Sequence, residues 1–565
     1  MKAVGAVLTL AAALLSAVLA GGAAQAASPP MAVEAEHGMV VTSQHIASAV
    51  GAGILAAGGN AVDAAVAVGY ALAVVEPCCG NVGGGGFMTI HLADGRDTFI
   101  NFRETAPAAA TAGMYLDPAG KPVPDRSRHG YLAAGVPGTV MGLDRAAREY
   151  GTMPRAALMA PAISLARDGF VLTRDDTELL DVKADSLSHD PAAARIFLRP
   201  DGSRFGPGDR LVQKDLAATL EAIAKDGPDA FYKGPVATEV EQASRAGGGI
   251  LTARDFAAYT ATEGAPLACT YRGYVLISAP PPSSGGTTIC EILNILEGYD
   301  LKGIGFRSVH SVELMIAAMA RGYADRNAFL GDPAFVANPL DRLLSKGYAA
   351  GIRAAIRDGG AAPASAVAGS HEKAETTHYS VADGAGDAVA VTYTINGYFG
   401  AQVVAPGTGF LLNNEMDDFT AKPGAPNLYG LVQGATDAVA PGKRPLSSMA
   451  PTLVEKNGHV AFVLGSPGGS RIITTVLETI MNIADYGMTP AQAVTAPRLH
   501  YQGEPNTLFY ERGGLPAGTV AALVDNGTTL AAQKPWGAVE LITEQNDRFY
   551  GVSDSRRPGG AAVGY

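Results

Sequence analysis

Asp383-Gly384-Ala385-Gly386-Asp387 stands between two runs rich in β-branched and aromatic residues, and no other stretch of the chain instructs folding so strongly. Glycine and aspartate supply turn chemistry and the flanks supply strand residues, so the segment predicts an antiparallel hairpin. Centring it on Ala385 makes partner numbers sum to about 770. Thr376 then lies opposite Thr394, with Asn396 two residues further along on the same face. A slip of one residue would exchange the two faces, so the hairpin by itself does not separate Thr376 from Thr377.

What precedes the hairpin gives these threonines a chemical meaning. Residues 358–375 are rich in Ala, Gly and Ser and end in the charged His371-Glu372-Lys373-Ala374-Glu375, the composition of an exposed, mobile loop. Exposed loops are where a chain can be cut. A threonine hydroxyl is a poor nucleophile until a base stands beside it. Its own α-amine, freed by a cut, titrates at roughly 7.7–8.0, close to the pH at which a general base works best. Cleavage after Glu375 would therefore give one residue both roles. Taken alone, a threonine pair at a strand start is most often structural.

Several blocks together carry a resemblance. Segments 376–383, 413–418, 445–451 and 464–475, with 80–88, 101–110 and 280–287 nearer the start, are similar to the γ-glutamyltranspeptidase (γ-glutamyltransferase) family. They occur in the family's order and span nearly all of the chain after its leader. Pro445-Leu-Ser-Ser-Met-Ala-Pro451 and Gly465-Ser-Pro-Gly-Gly-Ser470 are the most specific. The resemblance implies an α+β N-terminal-nucleophile hydrolase, a four-layer αββα sandwich formed jointly by a large subunit, 27–375, and a small catalytic one, 376–565. Propensity alone supports only a mixture of helix and strand. The resemblance also implies autoproteolysis at Glu375–Thr376 and attack by Thr376 on glutathione and other γ-glutamyl amides. A γ-glutamyl ester would follow, released to water or to an acceptor amino acid or dipeptide.

Side-chain chemistry fits these roles. Gly468-Gly469 precede an apolar run, 471–483, that reads as a helix, and backbone N–H groups at a helix start favour negative charge. The family's oxyanion hole matches these two glycines. A γ-glutamyl group carries both an α-carboxylate and an α-ammonium. Arg103 can meet the carboxylate with two parallel hydrogen bonds, and Ser447 and Ser448 can add hydroxyls. Glu415 and Asp418, three residues apart, offer carboxylates to the ammonium, with Asn396 nearby. The family varies between Glu and Gln at the position matching Glu415. Segment 423–433, containing Tyr429, matches a lid over the glutamyl pocket.

The rest bounds the setting. Lys2, an apolar run over 7–20 and Ala24-Gln25-Ala26 read as a secretory signal, residues 1–26, so the chain is expected in a periplasm or outside the cell without a membrane anchor. A net charge of −12 disfavours nucleic acid as a partner. Residues 56–75 read as a buried helix opened by Gly58-Gly59-Asn60, 311–330 as a second helix, and Gly83–Gly86 as a tight turn where backbones approach closely. The four cysteines, Cys78, Cys79, Cys269 and Cys290, lack metal-ligand spacing and read as buried thiols at least as readily as bridges. Neither metal nor organic cofactor is called for. Two other readings are open: a related amidase of the cephalosporin or glutaryl acylase type, and a non-catalytic exported binding protein.

Overall fold

The computed structural model describes residues 31–357 and 375–565. The leader and the loop through residue 374 lie outside the described residues.

The hairpin forms in the expected register. Strands Thr377–Asp383 and Ala388–Thr394 run antiparallel with Thr377 opposite Tyr393 and Ala382 opposite Ala388, which carried one step back puts Thr376 beside Thr394. Strand Gly38–Thr42 pairs with the other edge of the first strand, and Gly85–His91 with the other edge of the second. Ala561–Gly564, Asp97–Asn101 and Thr262–Gly264 complete a seven-stranded sheet. A second sheet of seven has the order Val33–Ala35, Arg548–Ser553, Glu540–Gln545, His459–Leu464, Thr452–Lys456, Tyr274–Ser278 and Leu267–Tyr271.

Period-two alternation sorts the hairpin side chains into two layers. Tyr379, Val381, Val389, Val391 and Tyr393 point into one core with helices His45–Ala56, Ala61–Val75 and Thr139–Tyr150. Ala382, Ala388 and Ala390 point the other way and meet Leu453, Val463 and Ile542 of the second sheet. Outside that sheet, Leu276, Val454 and Leu464 pack under helices Gly285–Leu296, Val309–Phe329 and Ile472–Ala484. Helix, sheet, sheet, helix is the αββα sandwich that the resemblance implies. Small alanines between the sheets let them approach. Thr376 and Thr394 extend that inter-sheet face to its end.

The helix expected from the apolar run 56–75 begins at Ala61, where Asn60 and Asp63 form a capping box, and every residue through Val75 is buried. Gly83–Gly86 is not a turn. It leads into strand Gly85–His91, and a Cβ on Gly84 would lie 2.1 Å from the Thr394 carbonyl oxygen. Close backbone approach is the reason for glycine here, and it brings this strand against the end of the hairpin. The cysteines differ from the thiol reading. Cys269 is bonded to Cys290, tying strand Leu267–Tyr271 to helix Gly285–Leu296 across Cα atoms 6.0 Å apart, within bonding range. Cys78 is bonded to its neighbour Cys79. Among the described residues, no helix is long and apolar enough to cross a membrane.

Candidate active site

Thr376 ends the inter-sheet face of the hairpin, 3% exposed, and its hydroxyl donates to Thr394 Oγ1 at 3.2 Å. Thr394 also accepts from the Asn396 amide at 2.8 Å, which fixes its hydroxyl. Thr377 faces the opposite way: its hydroxyl donates to Glu76 at 2.6 Å, and Glu76 is paired with Arg557 at 3.0 Å. Strand alternation thus separates the two threonines. Thr376 has φ 116°, a conformation very unfavourable for a β-branched residue, immediately after the Glu375–Thr376 bond. The neighbouring histidine supplies no base to this face. His378 is buried between the sheets, bonded to Thr392 Oγ1 at 2.8 Å and Ser380 Oγ at 3.1 Å, and burial pushes its imidazole down to about 3.

One small cavity brings together ten of the eleven expected residues: Thr376, Thr394, Asn396, Arg103, Glu415, Asp418, Tyr429, Ser447, Ser448 and Gly469. Gly468 stands one residue behind the wall.

Arg103 is the centre of charge. It follows strand Asp97–Asn101, is fully buried, and pairs with both Glu415 and Asp418. Those carboxylates reach one guanidinium because Glu415–Asp418 is a 3₁₀ turn, whose three-residue period stacks i over i+3. Glu104 adds a third carboxylate at 3.7 Å. Burial opposes the charge on Arg103, but Glu415, Asp418 and Glu104 together hold its pKa above the ordinary guanidinium value. Burial raises Glu415 and Asp418 above the usual carboxylate range, against the pull of Arg103. Glu104 is pushed up to about 7, again chiefly by burial.

The serines come from the segment whose Pro445 carbonyl accepts from Arg103 Nε at 3.2 Å. Ser447 Oγ accepts from the Met449 amide at 3.1 Å, and Ser448 Oγ accepts from Arg326 at 3.3 Å. Accepting leaves each hydroxyl its own proton to donate. Tyr429 closes the cavity: its hydroxyl donates to Asn396 Oδ1 at 2.7 Å, and its ring lies over Gly469. Gly468 and Gly469 have φ 134° and 55° and turn the chain into a short 3₁₀ segment, Gly469–Arg471, before helix Ile472–Ala484. A Cβ on Gly469 would meet the Tyr429 ring at 2.2 Å. Gly469→Ala is therefore expected to lose about 1–3 kcal/mol of stability from the backbone conformation alone. A melting temperature equal to that of the unchanged protein would refute this.

Residues 47–564 match the family described as Gamma-glutamyltranspeptidase. The chain belongs to that family. A glutathione hydrolase proenzyme of Pseudomonas sp. (strain A14) is 52% identical to this γ-glutamyltranspeptidase-family chain, over 94% of the chain and 95% of the relative. An acylase ACY 1 proenzyme of Pseudomonas sp. (strain SE83) is 43% identical, over 87% and 86%. The crystal structure of cephalosporin acylase from Bacillus halodurans superposes with a TM-score of 0.84 at 26% identity, covering 96% of this chain and 98% of that one. The N-terminal-nucleophile hydrolase fold follows.

Sequence reasoning missed two residues of the site, Arg326 in the cavity lining and Glu104 beside Arg103. Arg326 lies on helix Val309–Phe329, which reads as core; its guanidinium is buried and donates to Ser284 at 2.9 Å and Gln433 at 2.7 Å as well as to Ser448. A lone arginine on the face that otherwise carries Met315, Met319 and Tyr323 was the available signal. Glu104 sits beside Arg103 in the matching block, yet adjacency in sequence does not reveal burial.

Proposed function

We propose that this chain cuts itself between Glu375 and Thr376 and then transfers γ-glutamyl groups from glutathione and related amides to water, amino acids or dipeptides. The observation that carries this reading is the pairing of a buried Thr376, held by Thr394, with a cavity whose fixed charges complement a zwitterion. In the first step Thr376 Oγ1 attacks the Glu375 carbonyl carbon. The peptide C–N bond breaks, an ester joins the two residues, and the freed nitrogen becomes the Thr376 α-amine. Water hydrolyses the ester, leaving a Glu375 carboxylate. The strained φ at Thr376 raises the ground state of the bond that breaks.

The mature residue then works twice. Its α-amine takes the hydroxyl proton as Oγ1 attacks the donor's γ-carbonyl, and it returns that proton to the departing amine. Backbone N–H groups at Gly468 and Gly469 receive the negative charge developing on the carbonyl oxygen. Water or an acceptor amine repeats the attack on the γ-glutamyl ester and regenerates Thr376. The donor's α-carboxylate replaces Glu415 and Asp418 on Arg103, with the Ser447 and Ser448 hydroxyls beside it. Its α-ammonium takes up the displaced carboxylates and Asn396. Each buried ion exchanges one partner for another, so none is left uncompensated. We read residues 1–26 as an export signal, which places the reaction in a periplasm or outside the cell.

Intact mass of the purified protein, with a γ-glutamyl anilide assay on the same sample, tests the reading. Two chains meeting at Thr376, with anilide release, are expected. A single uncut chain that still releases anilide would overturn the mechanism.

The acylase relatives favour a second reading, a related amidase of the acylase type, which has less reason to hold an α-ammonium. Glu415 and Asp418 speak against it, since two buried carboxylates suit a cation. Converting both in Glu415→Gln/Asp418→Asn is expected to reduce the preference for γ-glutamyl over glutaryl anilide by about tenfold or more. An unchanged preference removes these carboxylates from ammonium recognition. Tyr429 and its segment serve as the lid, and deleting 424–433 is expected to raise the donor KM by about tenfold or more. Equal KM and selectivity would exclude that role.

A further inference from the structure

Behind the nucleophile strand, on the Thr377 side, lies a cavity of about 620 Å³ that the reaction above leaves unused. Its size suits a ligand of a few residues. Its lining carries both acidic side chains, among them Asp175, Asp176 and Glu178, and basic ones, among them Arg471, Arg512 and Lys534. Charges of both signs in one lining fit a small peptide with a free ammonium at one end and a carboxylate at the other. Cys78, bonded to Cys79, forms part of the same lining.

We propose that Cys78–Cys79 is a thiol–disulfide exchange site for small zwitterionic cysteine-containing peptides that enter through this cavity. The geometry assigns the order of events. Cys78 is the sulfur on the cavity lining, whereas Cys79 lies behind it with Arg557 Nη2 at 3.9 Å. A peptide thiolate attacks Cys78 Sγ, the Cys78–Cys79 bond breaks, and the electron pair leaves on Cys79 as a thiolate beside the guanidinium. A nearby cation lowers a thiol's pKa and makes it the better leaving group. A second peptide thiolate then attacks the sulfur of the bound peptide. This releases the peptide disulfide and leaves both cysteines as thiols. Two peptide thiols are oxidised and one protein disulfide is reduced, so the step needs no other oxidant.

The site is wired to its surroundings. Arg557 also pairs with Glu76, which accepts from Thr377, the residue after the nucleophile. The Cys78 carbonyl accepts from the Phe399 amide at 2.9 Å, in the loop that contains Asn396.

Cysteinylglycine, with no γ-glutamyl donor present, is the probe, so exchange and transfer are read separately. The unchanged protein is incubated with the reduced dipeptide, trapped with N-ethylmaleimide and mapped by mass. Expected are a dipeptide adduct on Cys78 or alkylation of both Cys78 and Cys79, with oxidised dipeptide released and Cys269–Cys290 intact. Compared at equal thiolate concentration, cysteinylglycine should act about tenfold faster than 2-mercaptoethanol, which lacks both charges. In Cys79→Ser, oxidised cysteinylglycine should leave one adduct per chain, on Cys78. Absence of adduct and alkylation at both positions would overturn the proposal. So would an uncharged thiol that matches the dipeptide in rate, or a Cys79→Ser chain that takes up no dipeptide.

Discussion

Thr376→Ala is expected to give a single uncut chain with activity lower by a factor on the order of 10⁴ or more. The magnitude follows from what is removed. The same oxygen is needed to open the Glu375 peptide bond and to accept the γ-glutamyl group, and cutting is what creates the α-amine that serves as base. Loss of Oγ1 therefore abolishes processing and chemistry together. Thr377 offers no substitute, because its hydroxyl is committed to Glu76 on the other face of the strand. Thr376→Ser should restore both cutting and turnover at a reduced rate, since it keeps the oxygen and loses only a methyl group. Gel mobility and anilide release read both outcomes. A cut and active alanine variant would eliminate Thr376 as the nucleophile.

Arg103→Ala ranks second. Removing one partner of a buried ion pair costs about 3–5 kcal/mol, because the remaining charge stays buried. Here three carboxylates, Glu104, Glu415 and Asp418, lose their shared cation at once. The expected fall in kcat/KM for γ-glutamyl donors is on the order of 10²–10³-fold, at about 1.4 kcal/mol per tenfold. Arg103→Lys should recover part of it, as a point charge cannot span two carboxylates. An alanine variant with an unaltered donor KM would take Arg103 out of the pocket.

The parts of this site that could be read from residues alone are those set by short-range geometry. The Asp383–Asp387 turn dictates its own register, so Thr394 could be placed opposite Thr376 without a structure. Glu415 and Asp418 were legible as two carboxylates three residues apart, and the 3₁₀ turn found in the structure is what turns that spacing into a shared pair. The face that Thr376 uses was open, since parity in a strand depends on which side the core covers. Arg326 was hidden because its helix is mostly apolar and its partners, Ser284, Gln433 and Ser448, come from three distant segments. Long-range pairing left no local trace either: Ala561–Gly564 lies against Gly38–Thr42 from the other end of the chain. The bonded cysteines belong to the same class, for composition cannot say which buried thiols meet.

Both sheets interleave strands from before and after residue 375. Gly38–Thr42 lies between Ala561–Gly564 and Thr377–Asp383, and Tyr274–Ser278 pairs with Thr452–Lys456. Once the bond before Thr376 is opened, the two polypeptides share both sheets, and neither holds a complete one. Unfolding then becomes a dissociation. Its reversal requires two chains to find one another, so recovery depends on protein concentration, where the uncut precursor would refold alone. Self-cleavage thus turns a reversible fold into one protected chiefly by its unfolding barrier.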